Sequence, residues 1–192
     1  MIPTSGPRKP SPHIRGNGTY WGSLRDFNGV EQWSEEGIRE RYFRYADATS
    51  LASPTELVSH RTTNGEVTWV YPLMDSIISL IELNDCAAIE IGVEFIEEDD
   101  YFVFGMILKS NTARALRKAQ LSREQEERIR QRIVSMMLAG NVPREFKEYR
   151  KLLKQVGVKH LWPRLSAEVD RANPYVMRHL TYLEAYGRDK TP

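Results

Sequence analysis

The chain has only one cysteine, Cys86, which excludes an internal disulfide and any zinc site built on several cysteines. Long apolar runs are also missing. The most apolar stretch, at about 73–83, is interrupted by Asp75 and Glu82 and is too short to cross a bilayer. Proline and glycine stand near the N-terminus where a signal peptide needs apolar residues. These absences predict a cytoplasmic protein that does not enter a membrane.

Catalytic and cofactor motifs are also missing from the sequence. None of the four histidines lies four residues from another, and no His-Glu-x-x-His motif occurs. The chain has no phosphate-binding loop, no dinucleotide-binding glycine pattern and no Gly-x-Ser-x-Gly nucleophile turn. We therefore predict a protein that is not an enzyme, with no catalytic residue, no cofactor and no metal ligand.

Charge is distributed unevenly along the chain although the net charge is only +1. Residues 1–100 contain 8 Lys and Arg against 17 Asp and Glu, whereas residues 101–192 contain 19 against 9. Two interpretations stay open. Either the two halves attract each other within one fold, or the basic half faces an acidic partner.

Apolar residues recur at helical spacing through most of the chain, and the composition is typical of a globular protein. This pattern predicts an all-α fold of seven or eight antiparallel stacked helices, either HEAT-like or an irregular helical bundle. We expect a flexible tail at 1–18, which is rich in proline and glycine, a single helical domain at 19–187 and a frayed C-terminus at 188–192.

Capping residues predict where several helices begin. Ser34, Asp85 and Asn173 precede apolar-periodic stretches, and Ser122 with Gln125 has the spacing of a capping box. Pro143 suits the first turn of a helix. Two segments are less distinct: a short helix is expected at 54–60, and 66–70 suits either a strand or a helix. Helix or extended linker is favoured there, because no partner strand is evident.

The stretch 122–156 predicts two consecutive helices, and the second has two opposed faces. An apolar stripe includes Phe146, Tyr149 and Leu153, and a basic stripe repeats its spacing two positions earlier, about 200° away. Together with the basic face of a preceding helix, this stripe forms the predicted partner-binding set: Arg144, Lys147, Lys151, Lys154, Arg114, Arg117 and Lys118. A solvated outer face and a docking surface are both compatible with it.

An acidic cluster occupies 90–100, where Glu90, Glu94 and Glu97 share a helical face. Three interpretations apply: a solvated face, a complement to the basic half, or carboxylates for a divalent cation or acid–base chemistry.

Part of the chain resembles uncharacterised bacterial α-helical proteins of HEAT-like helical-hairpin build. The resemblance covers about 95–149 and lies in an acidic helix end, an aromatic segment, a basic leucine-bearing helix, a capped helix start and a later Arg-Glu-Phe-x-x-Tyr sequence: Glu97–Asp100, Tyr101–Phe104, Arg114–Lys118, Leu121–Gln125 and Arg144–Tyr149. It implies a fold of stacked helical hairpins and assigns no functional residue.

Three functions are therefore considered. The first is a non-catalytic protein–protein interaction module of the adaptor, immunity or defence-accessory type, with an acidic protein as partner. The second is a nucleic-acid-binding protein that uses the basic half without sequence preference. The third is a carboxylate-based metal enzyme. The sequence does not indicate an oligomeric state.

Overall fold

The structure is a computed structural model that describes residues 19–21, 23–100 and 103–186. This part of the chain contains eight α-helices: α1 Glu35–Ala48, α2 Met74–Glu82, α3 Cys86–Glu98, α4 Gly105–Leu116, α5 Arg123–Leu138, α6 Phe146–Val156, α7 Trp162–Glu168 and α8 Pro174–Tyr186. Single 3-10 turns at Glu31–Trp33 and Lys159–Leu161 precede α1 and α7. The predicted fold of stacked helices is confirmed. The tail predicted at 1–18 and the end predicted at 188–192 lie outside the described residues.

The helices stack in two layers. α1, α3, α5 and α7 pack side by side as the odd layer, and α2, α4, α6 and α8 pack side by side as the even layer. Three pairs of consecutive helices pack across the layers: α2 with α3, α3 with α4 and α5 with α6. Buried side chains from both layers belong to one core, among them Ile77, Phe95, Leu116, Ile133 and Leu153. Because each layer skips alternate helices, its neighbouring helices are distant in sequence.

The predicted capping residues act as the sequence indicates. The Ser34 hydroxyl accepts from the backbone N–H of Gly37 at 3.1 Å, and the Asp85 carboxylate accepts from that of Ala88 at 2.9 Å. Ser122 forms a complete capping box with Gln125. The Asn173 side chain accepts from two backbone N–H groups at the start of α8. Each cap satisfies donors that a helix start leaves without intrahelical partners.

A small sheet accompanies the helices. Its strands are β1 Thr19–Trp21, β2 Leu24–Asp26, β3 Arg61–Asn64 and β4 Val67–Val70, in the order β1-β2-β4-β3. The pairs β1–β2 and β3–β4 are antiparallel, and β2–β4 is parallel. The preference for helix or linker at 66–70 is therefore wrong. The local signal was the Asn-Gly pair at 64–65, which is typical of a tight hairpin turn, and Gly65 has a φ of +60°.

The expected short helix at 54–60 is also wrong, because the backbone there bonds to α1 side chains. The Thr55 N–H donates to the Tyr42 hydroxyl at 3.1 Å, and the Leu57 carbonyl accepts from Arg39 Nε at 3.2 Å. α6 begins at Phe146 and not at Pro143. A tight turn precedes it, in which the Phe146 N–H donates to the Pro143 carbonyl.

Candidate functional site

Basic side chains on neighbouring helices pair with five carboxylates of the acidic cluster. The pairs are Glu90 and Glu97 with Arg128, Glu94 and Glu98 with Arg41, and Asp99 with Lys109 and Arg132. Hydrogen bonds to Glu97 and then to Glu90 raise the pKa of Arg128 above its ordinary value. These ion pairs hold α3 between α1 and α5. Among the described residues, no group of three or more His, Cys, Asp or Glu side chains is placed to hold a metal ion.

The basic residues of the even layer meet a different environment, centred on the buried carboxylate of Glu148. Its Oε1 accepts from Lys151 Nζ at 3.0 Å, and its Oε2 lies 3.4 Å from Arg117 and 3.6 Å from Arg114. Burial alone would raise the pKa of Glu148, but the hydrogen bond from Lys151 and the two arginines hold it below its ordinary value. One carboxylate thus faces three of the seven predicted partner-binding cations.

The other four cations of the predicted set divide into two groups. Lys118 pairs with Glu82 at 3.1 Å, and Lys154 Nζ lies 6.0 Å from the centre of the Tyr182 ring. Arg144 and Lys147 are exposed, and the described part of the chain offers neither of them an ion-pair partner. These two residues therefore leave their charge available to a ligand.

A cleft of about 330 Å³ lies between the first turns of α6 and α8, and we call it the α6–α8 cleft. Four cations line it: Arg144, Lys147, Arg150 and Arg178. No carboxylate of the described residues lines it. Arg150 and Arg178 were not among the predicted partner-binding residues. The available signal was the three-residue step from Arg144 to Lys147 to Arg150, which keeps all three near one side of a helix.

His179 lines the same cleft and is neutral at physiological pH. Its Nδ1 lies 3.3 Å from Arg150 Nη1, and because a guanidinium only donates, Nδ1 accepts and Nε2 carries the proton. Burial, followed by the charges of Arg150 and Arg178, lowers the pKa of His179 to about 4. Its ring packs 4.8 Å from that of Phe146. The positive charge of the cleft therefore comes from its arginines and lysine.

Two further features distinguish this cleft from an ordinary solvated surface. The buried Nε of Arg150 has no hydrogen-bond partner in the described part of the molecule, although its guanidinium carbon lies 4.3 Å from the centre of the Tyr182 ring. Tyr175, at the rim, is 71% exposed. A large exposed aromatic ring beside these guanidinium groups suits contact with a further molecule.

An apolar groove of about 240 Å³ between α4 and α6 adjoins the cleft. Met106 and Ile107 line it and are 48% and 54% exposed. Arg144 lines both the groove and the cleft, so that the two form one continuous surface. We call this surface the basic face. It comprises the groove, which Arg114 and the carboxylate of Glu145 also line, and the α6–α8 cleft.

No protein-family model, curated protein or solved structure matches this chain. The resemblance to HEAT-like helical proteins accordingly stays a prediction. Within the described ranges, no helix has both the length and the apolar composition that crossing a membrane requires.

Proposed function

We propose that this protein is a non-catalytic interaction module, of the adaptor, immunity or defence-accessory type, that binds an acidic segment of another protein on its basic face. The observation that carries the proposal is the α6–α8 cleft, where four cations converge without a lining carboxylate from the described residues. Like charges held together repel each other, and an acidic partner relieves that repulsion.

The apolar border of the basic face favours a protein as the partner. Protein interfaces are enriched in Tyr, Met and Arg, and their tightest contacts are aromatic and arginine side chains in desolvated pockets. Met106 and Tyr175 lie at the two ends of the surface, with Arg144 between them. A segment that combines apolar and acidic side chains would contact all three.

Affinity capture from cells of the source organism, followed by quantitative mass spectrometry, tests this proposal. The test variant is Arg144→Glu with Lys147→Glu, which reverses two exposed charges on the basic face. The control is Arg123→Glu with Arg164→Glu, which makes the same change in net charge on exposed residues of the odd layer. We expect the test variant to lose the partner by about tenfold or more and the control to keep it.

Equal capture by both variants would place the docking surface elsewhere. The lysate is also treated with nuclease in a parallel arm, because a partner that depends on nucleic acid disappears there.

A nucleic-acid-binding protein is the second candidate, and the exposed ring of Tyr175 beside the cleft favours it. Single-stranded nucleic acids bind where basic side chains track the phosphates and aromatic rings stack on the bases. Gel shifts with a single-stranded oligonucleotide, at low and at moderate salt, test this candidate. Binding that weakens with salt and is lost in Tyr175→Ala supports it, whereas no shift at low salt excludes it.

A further inference from the structure

We propose that the α6–α8 cleft binds a phosphomonoester dianion. This inference deepens the proposed function and rests on it for the source of the group, which is a phosphorylated side chain of the partner protein. A free small phosphate ester presents the same chemistry, and the experiment below distinguishes the two sources.

Charge is the first argument. Arg144, Lys147, Arg150 and Arg178 face one cleft without a lining carboxylate from the described residues. A phosphomonoester carries close to two negative charges at neutral pH, and a single carboxylate carries one. Within the same small volume, a dianion therefore relieves more of the repulsion among these cations than a single carboxylate does.

Donor geometry is the second argument. Three of the four cations are arginines, whose planar guanidinium groups present paired N–H donors that match phosphate oxygens. Lys147 adds an ammonium group with three further N–H donors. A phosphate has enough acceptor oxygens to satisfy several such donors at once.

The placement of the two helices is the third argument. Arg144 lies in the turn just before α6 and Lys147 in its first turn, and Tyr175, Arg178 and His179 belong to the first turns of α8. Helix starts carry partial positive charge, so that two of them at one cleft add to the field of the side chains. The rest of the even layer lacks this arrangement, since the cations between α4 and α6 surround Glu148.

Backbone amide NMR of the full chain, titrated with inorganic phosphate, tests the inference without any partner. We expect saturable shifts confined to the starts of α6 and α8. The exposed variants Lys147→Gln and Arg178→Gln should each weaken binding by about tenfold, because each removes a charge-assisted contact. Arg123→Gln, an exposed change on α5, should leave binding unchanged. Thermal unfolding confirms that all three variants fold.

Peptides identify the source of the phosphate. A phosphoserine peptide that binds at least about tenfold more tightly than its unphosphorylated form supports the inference. If the phosphoserine peptide binds more tightly than inorganic phosphate does, the source is a phosphorylated partner protein. If the two bind equally tightly, the source is a free phosphate ester.

Three results would overturn the inference: no saturable shift with phosphate, equal affinity for the two peptides, or tightest binding by a single-stranded oligonucleotide. The first result leaves the proposed function intact if charge reversal still abolishes capture of an acidic protein. Phosphate binding with unchanged capture would instead contradict the proposed function alone.

Discussion

The odd and even layers use their charges in opposite ways. In the odd layer, arginines on α1 and α5 flank the carboxylates of α3, and Arg128 bridges Glu90 and Glu97. In the even layer, cations outnumber carboxylates at each contact from α4 onwards, and the α6–α8 cleft has none of the described carboxylates. Charge thus stabilises one layer and remains available for binding on the other.

This difference shows which residues form ion pairs between the acidic and basic halves of the chain. The basic half pairs with the acidic cluster through Lys109, Arg128 and Arg132, and Arg41 of the acidic half supplies the other ion pairs. Of the predicted basic stripe on α6, Lys151 is engaged by Glu148, while Arg144 and Lys147 stay exposed. Attraction between the two halves therefore accounts for some basic residues of the C-terminal half, whereas others of the same half stay available to a partner.

The largest expected effect on stability comes from removing the ion pairs that Arg128 forms in the odd layer. Arg128→Met leaves Glu90 and Glu97 without their shared cation, and we expect a loss of about 2 kcal/mol in the free energy of unfolding. Urea unfolding measures it. Lys147→Met removes an exposed cation of the even layer and is the matched control. A similar loss in both variants would contradict the distinction between the layers.

A smaller effect concerns His179 and the pH dependence of stability. Its folded pKa of about 4 lies below the ordinary 6.5, so the unfolded chain takes up this proton more readily. The contribution of neutral His179 to the free energy of unfolding is complete above pH 6.5 and is lost as the pH falls towards about 4. We expect a decline on the order of 1 kcal/mol by about pH 5.

Urea unfolding at several pH values measures this decline. His179→Asn keeps an acceptor near the Arg150 guanidinium but does not titrate, so it should show a shallower decline over the same range. An unchanged slope in the variant would assign the pH dependence to other groups.

The smallest effect is expected on the basic face itself. Arg144→Ala with Lys147→Ala removes two exposed charges that have no ion-pair partner among the described residues. The free energy of unfolding should change by less than about 0.5 kcal/mol. At low salt, where repulsion within the cleft is least screened, the free energy of unfolding of the variant should be slightly higher than that of the unaltered protein. Thermal unfolding at two salt concentrations checks both statements, and a clear destabilisation would show that these residues support the fold.

Local signals account for what sequence reasoning placed correctly. Ser34, Asp85, Ser122 and Asn173 act as caps because each bonds to backbone groups only two or three residues away. The buried face of α6 follows from the spacing of Phe146 and its apolar neighbours, since a helix converts spacing directly into a face. Gly140 ends α5 with a φ of +70°, as its position after the helix indicates.

Sequence reasoning failed where contacts join distant segments. β2, far earlier in the chain, pairs with β4 beside the local β3–β4 hairpin, and 54–60 stays non-helical because α1 side chains bond to its backbone. The candidate site shows the same limit. Arg144 and Lys147 were evident from helical spacing and the same spacing could have added Arg150, whereas Arg178 joins them only because α6 packs against α8.

The sequence by itself determined the main helices, most of their caps and the basic stripe, because these depend on neighbours within a turn or two. Only the tertiary structure decided which charges neutralise each other and which stay available. Each cation's partner depends on the helix stacked beside it, and within each layer those helices are separated in sequence by another helix. At the α6–α8 cleft, the packing of α8 against α6 brings together four cations and no carboxylate of the residues that the structure describes.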